Sequence, residues 1–260
     1  QNYYIGYLWI LLAVRQGHAE AQFVLGLIYE NGNTIEKDYV KATRLFKLSA
    51  EQGFALGQHN YARMLALGLG VAKNRKDGIK WYILAAEQGI SEAQYILGVV
   101  YSDKLYSNYA KQNFQEAIKW LKLAAEQDHP DAQFHLGLIY HKGGVLERGQ
   151  QNEFQWRKIS DKDRIADKQL DLWLGDNNKD EVAQDFDEAI RWYQLAADQG
   201  FKDGQTNLGI MYESGMGVLQ NYKEAFKWFK LSANQGSMQA QLNLGVMYKN
   251  GNGVRQDNNE

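Results

Sequence analysis

The chain has 260 residues, 45% hydrophobic and 23% charged, a composition typical of a folded globular protein rather than a disordered one. Lysine plus arginine (29) nearly balances aspartate plus glutamate (31), which argues against a general nucleic-acid binder, because such proteins need a basic face. The absence of cysteine excludes disulfides, thiolate metal sites and thiol nucleophiles. A single proline favours a helical chain, and the 25 glycines then require a positional explanation.

The first segment, residues 3–14, is apolar but too short to cross a bilayer, since a spanning helix needs roughly 20 residues. No signal peptide is visible, so the compartment stays open between the cytoplasm and the periplasm or exterior. Trp9 and Leu12, followed by Gly17, match the second helix of a two-helix repeat. We therefore expect an incomplete repeat at residues 1–17.

A period of 36 residues organises most of the remaining chain. A typical period carries a Gln-Gly dipeptide, a Leu-Gly dipeptide, a tyrosine three residues after that glycine, a glycine turn, an aromatic residue and a pair of small residues, and Tyr61-Ala62 takes the place of one Leu-Gly. The Gln-Gly glycines are Gly17, Gly53, Gly89, Gly200 and Gly236, and the aromatic residues are Phe46, Trp81, Trp120, Trp192 and Trp228.

The recurring glycines predict where helices end and where they touch. Glycine inside a helix costs about 0.5–1 kcal/mol relative to alanine. We therefore expect the glycine of Leu-Gly to permit a close helix approach, with small pairs such as Ala85-Ala86 as the matching surface. The Gln-Gly glycines fall where a helix C-terminus needs a positive φ. Each period then contains a first helix, a turn and a second helix, and successive pairs stack into a solenoid.

These motifs resemble the Sel1-like repeat family, relatives of the tetratricopeptide repeats. The resemblance is carried by Ala240-Gln241 to Tyr248, by Gly215 to Val218 and by Lys80 to Gly89. It covers nearly the whole chain outside residues 146–185. It implies an all-α, right-handed α/α solenoid of about six to seven two-helix repeats, forming a single domain over residues 1–260.

The period breaks after Tyr140, and two interpretations of residues 146–185 stay open. The step from Leu136 to Leu208 is twice the period, which is consistent with an eroded repeat. The high charge of the segment, and Trp173 where a glycine is expected, favour an inserted segment instead.

The chain ends after a first helix that includes Tyr248, so we expect a truncated final repeat at residues 237–260. Neither end resembles a polar capping repeat. We therefore expect either a longer parent protein or end-to-end self-association.

No motif in the sequence carries chemistry. The five histidines lack an i, i+4 pair, and the Gly-x-Gly turns lack the third glycine, the lysine and the strand of phosphate-binding loops. We predict no catalytic residue, no metal site and no cofactor.

Apolar first helices predict an inner layer whose concave face binds a partner. If the layout follows that of the tetratricopeptide relatives, the face uses the residues two before and two after each Leu-Gly leucine or its equivalent. The alternative is that a tight superhelix already covers these positions. The predicted partner-binding residues are Phe23, Leu27, His59, Arg63, Tyr95, Val99, Phe134, Leu138, Thr206, Ile210, Leu242 and Val246.

The family resemblance implies a non-enzymatic adaptor that binds a protein or peptide partner, without nucleic acid or membrane insertion. Such proteins scaffold bacterial signalling, envelope and host-interaction complexes and act in eukaryotic protein quality control. One alternative is an enzyme that binds or hydrolyses β-lactams, as described for a cysteine-rich branch whose disulfides have no counterpart here. Another is a structural spacer that assembles through its ends.

Overall fold

The computed structural model describes residues 3–33, 35–103, 112–143 and 182–254. Within these ranges every regular element is an α-helix, which confirms the expected all-α repeat fold. First helices carry Leu-Gly or its equivalent and have even numbers; second helices carry the aromatic residue and the small pair and have odd numbers. The described helices are α1 (Tyr3–Arg15), α2 (Ala19–Asn31), α3 (Tyr39–Glu51), α4 (Ala55–Leu67), α5 (Arg75–Glu87), α6 (Ser91–Ser102), α7 (Phe114–Ala125), α8 (Pro130–Lys142), α9 (Phe186–Asp198), α10 (Lys202–Ser214), α11 (Tyr222–Asn234) and α12 (Met238–Asn250).

The described residues divide into two compact units, one within residues 3–112 and the other formed by residues 113–143 and 182–254. In the first unit, helices α1 to α6 pack on one another in chain order, and in the second unit α7 to α12 do the same. Apolar side chains are buried between consecutive helices, as expected of stacked repeats. The single domain expected over residues 1–260 stays a prediction.

Helix ends follow a fixed chemistry in each repeat. The second helices α3, α5, α7, α9 and α11 begin after an aspartate or asparagine whose side chain accepts a backbone N–H from the first turn. Such caps stabilise a helix by about 1 kcal/mol. Most first helices end at a glycine in the left-handed conformation, for example Gly68 with φ 74°.

The positive φ predicted for the Gln-Gly glycines is confirmed, with values from 81° at Gly17 to 90° at Gly89. The repeat of α7 has Asp128 at this place, and Asp128 also has a positive φ, of 59°. Aspartate is among the few residues that tolerate this conformation. The turn geometry is therefore retained where the glycine is lost.

The glycine of Leu-Gly packs against an aromatic ring of the following second helix. A Cβ atom on Gly26 would lie 2.6 Å from the Phe46 ring, and one on Gly209 would lie 2.6 Å from the Phe229 ring. Because the rings of Phe46 and Phe229 are fully buried, they cannot move aside for a methyl group. The close approach was predicted, but its partner is a ring and not the small pair.

The small pairs pack instead against the third residue of the first helix that follows them along the chain. A Cβ on Gly204 would lie 2.9 Å from Cβ of Ala196, and one on Gly57 would lie 3.0 Å from the backbone nitrogen of Ala50. The small pairs were expected to pack against the glycine of Leu-Gly, and this expectation was wrong. Phe46 and Tyr82 are both the eighth residue of their second helix, whereas Trp81 is the seventh residue of α5. The sequence analysis aligned Phe46 with the tryptophans, and this alignment was wrong by one residue.

Pairs of glutamines link each repeat to the one before it. The Nε2 of Gln88 donates to Oε1 of Gln58 at 2.7 Å, and the Nε2 of Gln58 donates to the carbonyl of Ala50 at 3.4 Å. In the second unit, Gln235 and Gln205 form the same bond at 2.9 Å. The bonds satisfy buried amides and a carbonyl at the end of a second helix, groups that would otherwise be costly to bury.

The stretch between Gly143 and Val182 interrupts one repeat. A Cβ on Gly137 of α8 would lie 2.5 Å from the Tyr193 ring of α9, the contact that joins the two helices of a single repeat. The N–H of Asp185 donates to the carbonyl of Tyr140 at 2.9 Å, as happens at the start of other second helices. Helices α8 and α9 therefore pair as the two helices of one repeat do, and both interpretations of residues 146–185 stay predictions. Residues 144–181, and with them most of the predicted segment 146–185, lie outside the described residues.

Replacing Gly209 by alanine should destabilise the protein by about 1–3 kcal/mol, because the added methyl overpacks the Phe229 ring. Gly245→Ala is the matched control: it is also the glycine of a Leu-Gly dipeptide in a first helix, but a Cβ there would meet nothing within 4 Å. The control should gain about 0.5–1 kcal/mol from helix propensity. Urea denaturation followed by circular dichroism measures both, and equal effects would contradict the assigned contact.

Deleting residues 145–180 should leave the fold intact. Forty-three residues separate α8 from α9 but only seven separate α4 from α5, so removal of these 36 residues restores the ordinary turn. Because loop-closure entropy changes slowly with length, we expect a Tm within about 3 °C of the parent.

Deleting residues 150–185 is the control for this variant, since it removes the same length but also the Asp185 cap. It should lower the free energy of unfolding by about 1 kcal/mol or more relative to the first deletion. Thermal melts of equal midpoint for the two deletions would contradict the proposed boundaries of the repeat.

Candidate functional site

The predicted partner-binding residues occupy the fifth and ninth positions of the first helices. The fifth residue packs against the residue that precedes the next first helix. The rings of Phe23 and Phe54 are 5.5 Å apart, and those of Phe134 and Phe201 are 5.4 Å apart. This position therefore fills the space between successive repeats.

Thr206 shows the same arrangement with polar groups. Its Oγ1 lies 2.7 Å from Oγ of Ser232 and 3.1 Å from Oγ of Ser237, the residue before α12. Its hydroxyl also donates to the carbonyl of Lys202 at 3.0 Å. The hydroxyl network is buried and internally satisfied, so it offers nothing to a partner.

Burial corrects the predicted face at five positions. Tyr95, Val99, Phe134, Leu138 and Thr206 are buried and have no surface with which to bind a partner. Of the other predicted residues, five are half-buried and two are exposed; these are Phe23, Leu27, His59, Arg63 and Ile210, and Leu242 and Val246, respectively.

In the first unit, an ion pair joins the first helices α2 and α4. Nη2 of Arg63 in α4 donates to Oε2 of Glu30 in α2 at 2.6 Å and to Oδ1 of Asn60 at 3.0 Å. The side chains of Arg63 and Glu30 are 29% and 14% exposed, so the pair is fixed at the surface while one edge stays open to solvent. Nδ2 of Asn60 donates to the carbonyl of Leu56 at 2.9 Å and holds the amide in place.

Apolar residues share helix faces with this ion pair. Leu56 and Leu67 lie on the same side of α4 as Arg63, because spacings of three and four residues share one face of a helix. Leu56 is 40% exposed and Leu67 is half-buried. We define the first-helix face as Leu27, Glu30, Leu56, Asn60, Arg63 and Leu67. Leu56, Asn60 and Leu67 were missed by the sequence analysis, although their spacing from Arg63 was a signal that could have found them.

His59 lies beside this face without joining it. Its ring contacts the edge of Tyr82 at a centroid distance of 5.5 Å, and its buried Nδ1 has no hydrogen-bond partner among the described residues. Burial lowers the pKa of His59 to about 4, with Glu92 opposing and Arg63 reinforcing the shift. The imidazole is therefore neutral at physiological pH and serves packing.

The described residues contain no group of three histidine, aspartate or glutamate side chains that could hold a metal ion. No described helix has the length and apolar character needed to cross a membrane. The face in α2 and α4 presents apolar side chains and an ion pair that is partly open to solvent.

A family model described as Sel1 repeat matches most of the chain in seven stretches: residues 19–54, 55–90, 91–129, 130–152, 173–201, 202–237 and 239–260. Helix α8 lies in the match over 130–152 and helix α9 in the match over 173–201. The single structural repeat formed by these helices is thus divided between two matches.

Two solved structures share this fold. One is the crystal structure of c5321, a protective antigen present in uropathogenic Escherichia coli strains and displaying an SLR fold. It has a TM-score of 0.78 and 30% identity, and the match covers 96% of this chain and 45% of that one. The other is a Sel1 repeat protein from Oxalobacter formigenes, with a TM-score of 0.69 and 26% identity over 92% of this chain and 82% of that one.

A curated relative is the putative sel1-like repeat-containing protein L21 of Acanthamoeba polyphaga mimivirus. It is 36% identical over 101 residues, which are 39% of this chain and 18% of that protein. The chain therefore spans less than half the length of both the viral protein and c5321.

The low pKa of His59 predicts that the protein becomes less stable in acid. Because His59 titrates near 4 in the folded state and near 6.5 when unfolded, the unfolded chain binds the proton first. Stability should then fall as the pH drops from about 6.5 to about 4. His59→Phe, which introduces the residue found at this place in α2 and α8, should reduce the slope of that part of the profile, while His135 and His141, whose pKa values burial also lowers, keep their own contributions. Thermal melts across this range test it, and parallel profiles for variant and parent would refute the assignment.

Proposed function

Because the chain belongs to the Sel1 repeat family, whose members generally mediate protein–protein interaction, we propose that it is a scaffold that binds a partner protein through its first-helix face. Sel1 repeat proteins are typically non-enzymatic scaffolds, and the proposal is for binding without catalysis. The partner contributes a peptide segment in extended or helical form.

The observation that carries the proposal is the fixed Glu30–Arg63 pair between exposed and half-buried leucines. An apolar surface gives affinity to the side chains of a peptide segment, while charged groups set its register and orientation. The Arg63 guanidinium is already oriented by Glu30 and Asn60, so little side-chain entropy is lost when a partner binds.

The partner we expect combines apolar and polar side chains. Leu27, Leu56 and Leu67 provide contacts for one or two aliphatic or aromatic residues. The open edge of Arg63 provides hydrogen bonds to a backbone carbonyl or a carboxylate of the segment. Recognition of this kind is typical of helical surfaces that bind a peptide segment.

Peptides selected from a displayed random library against the purified protein should bind this face. Leu56→Asp should weaken their binding by about tenfold or more, because it places a carboxylate in the apolar contact. Leu84→Asp is the matched control, because Leu84 in α5 has nearly the same exposure, 41% against 40%, but lies on a second helix. Fluorescence anisotropy measures each affinity.

Arg63→Ala separates the polar contribution from the apolar one. It should reduce the affinity for the selected peptides without abolishing it, since the leucines remain. Peptides that bind Leu56→Asp and the parent equally, or that lose binding to Leu84→Asp instead, would contradict the assignment of the face.

A further inference from the structure

The second helices carry an exposed leucine that the proposed function does not use. In the second unit, Leu123, Leu195 and Leu231 are the tenth residues of α7, α9 and α11 and are 39–42% exposed. Equivalent positions of stacked repeats lie on one side of the stack. We call these three residues the leucine ridge. Single exposed leucines are ordinary on protein surfaces, but the same exposure at the same place in successive repeats forms a regular apolar surface.

Charges of opposite sign flank the ridge leucines in α7 and α9, and a cation precedes the leucine of α11. Four residues before each leucine stands a cation, and three residues after it, in α7 and α9, stands an acid. The cations are Lys119, Arg191 and Lys227, and the acids are Glu126 and Asp198. All five are exposed.

The cations remain available to a partner although each contacts an acid of its own helix. Nη1 of Arg191, for example, lies 3.3 Å from Oε1 of Glu188. The side chain of Arg191 is 68% exposed, and ion pairs between exposed side chains contribute little to stability. An approaching carboxylate could therefore share the guanidinium at low cost.

Two antiparallel copies of the pattern cation, leucine, acid place opposite charges face to face. When two helices pack antiparallel across a leucine, the residue four before it in one helix lies opposite the residue three or four after it in the other. Arg191 of one chain would then face Asp198 of the other, on both sides of Leu195. A surface that matches itself in this way is what a twofold axis requires.

We propose that the leucine ridge binds a second copy of this chain, with a twofold axis passing beside Leu195. Helix α9 packs against α9 of the second copy, and α7 packs against its α11. Lys227 then faces Glu126 of the second copy, so opposite charges also meet at the edge of the contact. The proposal is independent of partner binding, because the first-helix face lies on other helices.

Sedimentation equilibrium over a range of concentrations tests the proposal. The parent should form dimers and no larger species, and Leu195→Asp should raise the dimer Kd by about tenfold or more. Leu219→Asp is the control, since Leu219 is 92% exposed in the turn before α11 and lies outside the ridge. It should leave the Kd unchanged, and circular dichroism verifies that each variant is folded.

A charge exchange tests the twofold arrangement itself. Arg191→Glu and Asp198→Arg should each weaken the dimer, and the double variant should regain affinity to within about threefold of the parent because the facing charges are again opposite. A monomer at about 100 µM would overturn the proposal. So would a double variant weaker than either single one, or a mass that grows without limit and is unaffected by Leu195→Asp, which would indicate pairing through the chain ends.

Discussion

The structure depends on the contact between an aromatic ring of a second helix and a glycine of the first. In the repeats of α2, α8 and α10, a buried ring occupies the space that a Cβ atom would need. In these three repeats the two helices therefore approach more closely than a Cβ atom would allow, whereas the repeat of α4 has Ala62 at this place. Because the ring packs at the glycine in each of the three, the contact also sets the relative position of their helices along the helix axes.

Polar contacts join one repeat to the next. The glutamine at the fourth position of a first helix bonds both to the glutamine that follows its own second helix and to a carbonyl of the preceding second helix. Buried amides are expensive unless satisfied, so a shifted neighbour would leave two of them unpaired. Apolar packing thus holds each repeat together, and hydrogen bonding selects how repeats stack.

The sequence was sufficient to predict the helices, the positive φ of the Gln-Gly glycines and the close approach at Leu-Gly, because each recurs at a fixed period. It was not sufficient to identify the residue that contacts the glycine. Both the seventh and the eighth positions of second helices can be aromatic, as Trp81 and Phe46 show, and only the eighth contacts the glycine. Nor could the sequence predict what the fifth position packs against. Its partner is the residue before the next first helix, which is phenylalanine at 54 and 201 but serine at 237, so no periodic signal marks it.

The Arg63–Glu30 pair illustrates the same limit for the candidate site. Both residues vary between repeats, and only the stacking of α2 on α4 brings them together across 33 positions of the chain. Function in such an array resides in what differs between repeats, whereas periodicity reports what is shared.

The direct pairing of α8 with α9 has a consequence for how proteins of this architecture change in size. The residues between them exceed an ordinary turn by one full period, the equivalent of one second helix and the first helix after it. Helices α8 and α9 nevertheless make the same ring–glycine contact as the helix pairs that begin with α2 and α10. The contact within a helix pair therefore does not depend on the length of chain that joins its two helices. Chain length between the helices of one pair is thus a freedom of this architecture, whereas the place at which they touch is not.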